Sequence, residues 1–191
     1  TDHAVSHGIG DSIGTRNAPA LFNLAWQKKL MWDGAINHIE TQALAPISHP
    51  GEMGESLPNV LSKLQKSNLY PSLFRDAYGD TSITSQRMLK ALSAFQLSLV
   101  SANAKYDRVV QKTDSFTTQE KAGYQLFKTK CNSCHTEPLF TNHTFKNNGL
   151  RIDPEIKDLG RYAFTLQDVD SFLFKVPSLR NLSYTYPYMH D

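Results

Sequence analysis

The sequence predicts a mostly α-helical protein whose short helices are joined by long irregular segments. Three observations predict this: several stretches repeat apolar residues at helical spacing, Thr residues stand where helices need caps, and no alternating β-branched run is long enough for a sheet. The clearest helix is expected over residues 85–101. There Met88, Ala91, Leu92, Phe95 and Leu99 fall on one side, and Thr84 is placed to cap the first turn. A second is expected after Thr117, whose hydroxyl can cap while Glu120 reaches back, carrying Ala122, Leu126 and Phe127 toward Cys131. Shorter helices are expected over 19–26, 37–44, 58–66 and 70–78, with prolines at first-turn positions that tolerate them. From His135 to Asp168 the helical period is lost in Thr-, Asn-, Lys-, Gly- and Asp-rich sequence, which predicts functional loops.

Composition narrows the possibilities. The 191 residues are 40% hydrophobic and 20% charged, with 20 Lys+Arg against 18 Asp+Glu. That is ordinary globular usage, and without a Lys/Arg block it implies no nucleic-acid partner. No run of 18 apolar residues occurs, so no transmembrane helix is expected. The chain begins without Met or a leader and stops abruptly at Tyr186-Pro187-Tyr188-Met189-His190-Asp191, as a piece of a larger protein would. A composition shift near Lys112-Thr113-Asp114-Ser115 divides an N-terminal segment, 1–112, from a C-terminal domain, 113–191.

Both cysteines lie in Cys131-Asn132-Ser133-Cys134-His135, the C-x-x-C-H pattern of covalent c-type haem attachment. Two thiols on one turn can each form a thioether to a porphyrin vinyl group, and the adjacent His135 becomes the proximal iron ligand. A thioredoxin-like pair would need a βαβ context, which is missing around residues 125–140. A zinc site would need a fourth ligand such as His143, and Pro138, Leu139 and Phe140 stand where a zinc-spaced His would be. A plain disulfide leaves His135 unexplained. Haem c is therefore the expected cofactor, with cytochrome c-like helical domains and assembly outside the reducing cytoplasm, in the periplasm. By spacing alone, Met189 is the candidate soft axial ligand on the other side of the iron.

The flanking strings extend the reading. Thr15-Arg16-Asn17-Ala18-Pro19, Met31-Trp32-Asp33-Gly34, Gln42-Ala43-Leu44-Ala45-Pro46 and Gly51-Glu52-Met53-Gly54 precede the motif. Asp158-Leu159-Gly160-Arg161, Val176-Pro177-Ser178-Leu179-Arg180-Asn181 and the Tyr186–Asp191 string follow it. In this order they resemble the bacterial di-haem cytochrome c peroxidase family, including the related methylamine-utilisation di-haem enzymes. The resemblance implies a peroxidatic haem and an electron-receiving haem in two cytochrome-like domains. The single C-x-x-C-H here matches the electron-receiving haem, so the peroxidatic attachment motif is expected upstream and this piece alone is expected to be inactive. The sixth ligand of the electron-receiving haem is placed beyond Asp191, which displaces Met189 from that role.

Residue by residue, the resemblance makes Glu52 the acid/base beside the peroxide pocket, lined also by Gln42 and Pro46, and sets Trp32 between the haems. Cleaving an O–O bond needs a group that takes a proton from one oxygen and returns it to the other, as a carboxylate can. On sequence alone Glu52 is one of many loop carboxylates, and Trp32 reads equally as a core indole. His7 matches a distal gating His on a mobile loop, with His3 as the alternative and Gly8, Gly10 and Gly14 providing flexibility. Asn17, Thr185 and Pro187 match Ca²⁺ ligands, and Asn17 could also cap a helix containing Pro19. The implied activity is reduction of hydrogen peroxide to water with electrons from a small cytochrome c or cupredoxin, by a homodimer. The alternatives are a di-haem enzyme oxidising protein side chains and a single-haem electron carrier.

Overall fold

The structure, a computed structural model, describes residues 5–190. Eight α-helices are found among them: α1 (Ile39–Gln42), α2 (Leu44–Ser48), α3 (Leu57–Lys66), α4 (Tyr70–Tyr78), α5 (Ser85–Ser98), α6 (Lys105–Val110), α7 (Thr118–Lys130) and α8 (Tyr162–Thr165). Two short strands, β1 (Phe145–Lys146) and β2 (Phe174–Lys175), pair antiparallel with Phe145 opposite Lys175. The architecture is mostly α, as the sequence predicts.

The capping chemistry forms as read. Thr84 Oγ1 accepts from Arg87 N at 3.3 Å. At α7, Glu120 N donates to Thr117 Oγ1 (3.2 Å) and Thr117 N donates to Glu120 Oε2 (2.8 Å), a reciprocal capping box. Helix α3 starts from Ser56, whose hydroxyl accepts from Asn59 N, with Pro58 in the first turn.

Three expectations are corrected. Residues 19–26 give only a 3₁₀ turn at Leu24–Trp26, because Asn23 adopts left-handed backbone (φ 57°) that a helix cannot continue. The segment 37–44 becomes α1 and then α2, which runs on to Ser48. Helix α5 ends at Ser98 because Asn23 captures the chain beyond it. Asn23 N donates to Leu99 O (2.8 Å), and the Asn23 amide exchanges hydrogen bonds with Ser101 N (2.9 Å) and Ser101 O (3.1 Å).

The buried face of α5 also differs from the periodic reading. Met88, Ser93 and Gln96 are buried and Leu89 and Leu92 pack beside Met88, while Ala91 is exposed and Phe95 is 60% exposed. The helix therefore turns two polar side chains inward. The main apolar cluster joins Ala43, Ile47, Phe74, Ile83 and Met88, with Leu57, Leu61, Leu64 and Tyr78 around it. It fastens α1 and α2 against α3, α4 and α5.

Contacts across residue 112 tie the C-terminal residues to this helical layer. Arg180 donates to both Asp107 oxygens at 2.9 and 2.7 Å. Arg16 bridges Asp33 (2.6 Å) and Asp158 (2.5 and 2.9 Å). Burial opposes the Arg16 charge, but the two carboxylates outweigh it and raise its pKa above the ordinary value.

Candidate functional site

The chain keeps turning past the end of α7. Cys131 N donates to Phe127 O (2.8 Å), Cys134 N to Cys131 O (3.1 Å) and His135 N to Cys131 O (2.9 Å). No disulfide joins the two cysteines, Cys131 being exposed and Cys134 half-buried. His135 Nδ1 lies 3.1 Å from Phe140 O and 3.1 Å from Pro177 O. A ring nitrogen facing two carbonyls carries the proton, so Nε2 keeps its lone pair for a metal. Two accessible thiols and an imidazole locked in the ligating tautomer fit a covalently attached haem. Among the described residues no group of three or more His, Cys, Asp or Glu is placed to hold a metal ion.

The segments behind His135 are cross-stitched. Thr141 Oγ1 donates to Val176 O (2.6 Å), Ser178 Oγ to Leu139 O (2.6 Å), and Arg180 Nε and Nη2 to Pro138 O (2.9 and 2.7 Å). Phe140 packs on Tyr106 and Phe127 at ring-centroid distances of 4.7 and 5.3 Å, under the Arg180 guanidinium. These contacts set the two carbonyls that orient His135. Hydrogen bonding by Arg180 holds Asp107 below the usual carboxylate range.

A second feature is a cavity of about 930 Å³ whose lining includes Trp32, Gln42, Pro46 and Glu52. The structure thus brings these four sequence-predicted residues to one space. Apolar wall comes from Leu21, Met31, Ile47 and Leu92, and Arg16, Asn17 and Gln96 also line it. Its size and mixed lining suit a large planar cofactor or a small ligand. Gln42 sits at the end of α1, buried, and Glu52 lies half-buried in the loop after α2. The 6–14 loop closes over Glu52: Ile9 N donates to Glu52 O at 2.7 Å, and a Cβ on Gly8 would stand 2.0 Å from Gly51 O. Only glycine permits that approach.

Trp32 links the two features. Its Nε1 donates to Asn17 O (2.8 Å), and its carbonyl accepts from Lys175 N (2.7 Å). Two residues beyond Lys175, the Pro177 carbonyl reaches His135 Nδ1. A short run of backbone therefore connects the cavity wall to His135.

Of the other predicted residues that the structure describes, Asn17 also lines this cavity and the rest lie outside it. His7 is exposed, pairs by backbone with Ile13 and does not line the cavity, although its neighbour Ser6 does. His3 lies outside the described residues. Asn17 Nδ2 donates to Pro187 O (2.6 Å), with half-buried Thr185 nearby in sequence; Asn17 thus contacts the Pro187 segment instead of capping a helix at Pro19. As arranged, Asn17 turns an N–H toward Pro187, and a Ca²⁺ there would need the amide oxygen on that side. Met189 is 51% exposed, its sulfur 3.9 Å from Asn148 Nδ2.

Sequence reasoning passed over Gln96 and Lys175. Gln96 interrupts the apolar stripe of α5, which was the available signal. Lys175 had none, since its partial burial depends on Gln27 and Lys29 from the opposite end of the chain, which accept from its Nζ.

The chain resembles known proteins over most of its length. It is 40% identical to the methylamine utilization protein MauG of Methylophilus methylotrophus, over 92% of this chain and 53% of that protein. It is 32% identical to the cytochrome c peroxidase Ccp of Escherichia coli, over 97% of this chain and 41% of that protein. The crystal structure of a MauG-like protein associated with microbial copper homeostasis superposes with a TM-score of 0.85 at 30% identity, covering 99% of this chain and 62% of that one. The chain thus spans about half the length of the curated relatives it matches. Residues 1–115 match the family model described as di-haem cytochrome c peroxidase, and the chain belongs to that family.

Proposed function

We propose that this chain is the part of a periplasmic di-haem peroxidase that carries the electron-receiving haem and the distal wall of the peroxidatic site. The observation that carries the reading is the shared cavity of Trp32, Gln42, Pro46 and Glu52, connected through Trp32 and β2 to His135. Cys131 and Cys134 would hold one haem covalently and His135 would be its proximal ligand. When bound, the haems supply the redox-active iron needed to deliver electrons to hydrogen peroxide. A second C-x-x-C-H, outside these 191 residues, would hold the peroxidatic haem, so residues 1–191 alone would not turn over peroxide.

Within the cavity, Glu52 would take the proton from peroxide and return it to the departing oxygen, producing water. Gln42 would orient the ligand by hydrogen bonding. Trp32 would shorten the electron path, its position fixed from both ends by Asn17 O and Lys175 N. His7, on the loop closing over Glu52, would move inward to gate the peroxidatic iron, and Asn17, Thr185 and Pro187 would share a Ca²⁺ once the Asn17 amide turns. The domains would be 1–112 and 113–191, the assembly a homodimer, and the electron donor a small cytochrome c or cupredoxin.

The test uses the full-length gene product. Mass and pyridine-haemochrome spectra should show two covalent haems, and Glu52→Gln should lower kcat for peroxide by about 10²-fold or more while haem content stays unchanged. One haem, or full activity in Glu52→Gln, would refute the reading. A second reading, oxidation of side chains on another protein, is favoured by the higher identity to the methylamine utilization proteins. The sixth ligand of the electron-receiving haem, Met for the peroxidase or Tyr for the side-chain oxidant, would separate the two.

A further inference from the structure

Gln96 and Gln42 form an amide pair at the cavity wall that the reading above leaves unused. Gln96 Nε2 donates to Gln42 Oε1 at 2.8 Å, and both residues are more than nine-tenths buried. The Gln96 Oε1 atom has no protein donor, the one buried side-chain nitrogen or oxygen in that condition among the described residues. An unpartnered buried carbonyl costs about 1–3 kcal/mol. A leucine at this position of α5, among Met88 and Leu92, would avoid the cost. The chain keeps the glutamine, and what the side chain gains is its bond to Gln42.

That bond has a directional consequence. A side-chain amide can rotate end for end, exchanging its donor for its acceptor. With Gln42 Oε1 occupied by Gln96, the Gln42 NH₂ must take the other side. There it meets Met31 Sδ, a weak acceptor 3.9 Å away, and the cavity. Helix α1 has one turn and no side-chain cap, so little else holds the Gln42 side chain.

We propose that Gln96 is a positioning residue that fixes the Gln42 amide with its N–H toward the cavity, so that a ligand there meets a hydrogen-bond donor from Gln42 and a carboxylate from Glu52. The proposal rests on the assignment of the cavity to the peroxidatic distal side. An amide does not transfer protons on its own, so the division of labour follows: Gln42 orients the ligand, and Glu52 exchanges its proton. Gln96 acts only through Gln42.

Cyanide binding to the full-length holoprotein tests this, followed in the Soret band at the redox state in which the unsubstituted protein binds cyanide. Bound cyanide accepts a hydrogen bond through its nitrogen and so senses a donor in the wall. Gln42→Leu should raise the cyanide Kd about tenfold, the worth of one hydrogen bond of about 1.4 kcal/mol. Gln96→Leu should raise it about fivefold alone and less than twofold in the Gln42→Leu background, because the effects share one path. Gln96→Glu, close in shape, should turn the Gln42 amide over and raise the Kd at least tenfold, whereas a purely packing role would leave the Kd unchanged. If Gln42→Leu weakens cyanide binding and neither Gln96 variant does, or if the Gln96 and Gln42 effects add in full, the inference is overturned and the cavity assignment stands. If Gln42→Leu has no effect, the cavity assignment fails and the inference with it.

Discussion

Lys175 is a half-buried ammonium with neutral partners, and this makes a sharp prediction. Its Nζ donates to Gln27 Oε1 and to Lys29 O (3.1 Å), while its backbone N–H holds Trp32 O. Around it stand other basic groups: the pKa of the half-buried His143 is lowered first by desolvation and then by the charges of Lys175 and Lys28. Burial lowers the Lys175 pKa from 10.5 to about 8. At about 1.4 kcal/mol for each tenfold change in proton affinity, holding the charge costs the folded state about 3 kcal/mol. The unfolded chain binds more protons between about pH 8 and 10.5, so this group's contribution to stability rises with pH across that window. The full cost is present below pH 8. Lys175→Met removes the charge but forfeits two hydrogen bonds of about 1 kcal/mol each. The variant should therefore be about 1 kcal/mol more stable than the parent at pH 7 and about 2 kcal/mol less stable near pH 10.5. Urea unfolding of the full-length holoprotein and the variant, compared at matched pH, cancels the titration of groups that Lys175 does not touch, and His143, which it does, titrates below this window. A stability difference that stays constant from pH 7 to 10.5 would refute the reasoning.

Further expectations follow from the same structure. Arg180→Ala strands the Asp107 carboxylate and frees Pro138 O, and should cost about 3–5 kcal/mol of stability by urea unfolding. Because Arg180 keeps Asp107 below the ordinary carboxylate range, that pair's contribution should be lost in the parent as pH falls through the lowered Asp107 pKa, and Arg180→Ala should flatten this acid limb. Thr117→Ala removes the cap of the helix leading to Cys131 and should cost about 1 kcal/mol, read as a lower urea midpoint. Met88→Ala empties part of the cluster shared with Ala43 and Phe74 and should cost about 2–5 kcal/mol in the same assay. Cys131→Ser should leave one thioether instead of two at the haem proposed for this turn, visible as a shifted pyridine-haemochrome band.

Local chemistry was legible where it was self-contained. The Thr117–Glu120 capping box, the Thr84 cap, the first-turn Pro58 and the Cys131–His135 turn all form within a few residues, so spacing alone specified them. The succession of strings around that turn also marked the family to which the chain belongs. Tertiary structure decided what depends on residues far apart. Asn23 ended α5 by seizing Leu99 and Ser101, a contact that no helical period encodes. Gln96 became a buried amide because Gln42 lies across from it, and Lys175 became a half-buried cation because Gln27 and Lys29 close over it. The cavity uniting Trp32, Gln42, Pro46 and Glu52 exists only once α1, α2 and the loop at Gly8 are in place. A sequence carries the propensities of neighbours, but the pairing of a donor with an acceptor from another element is settled by the packing that brings them within 3 Å.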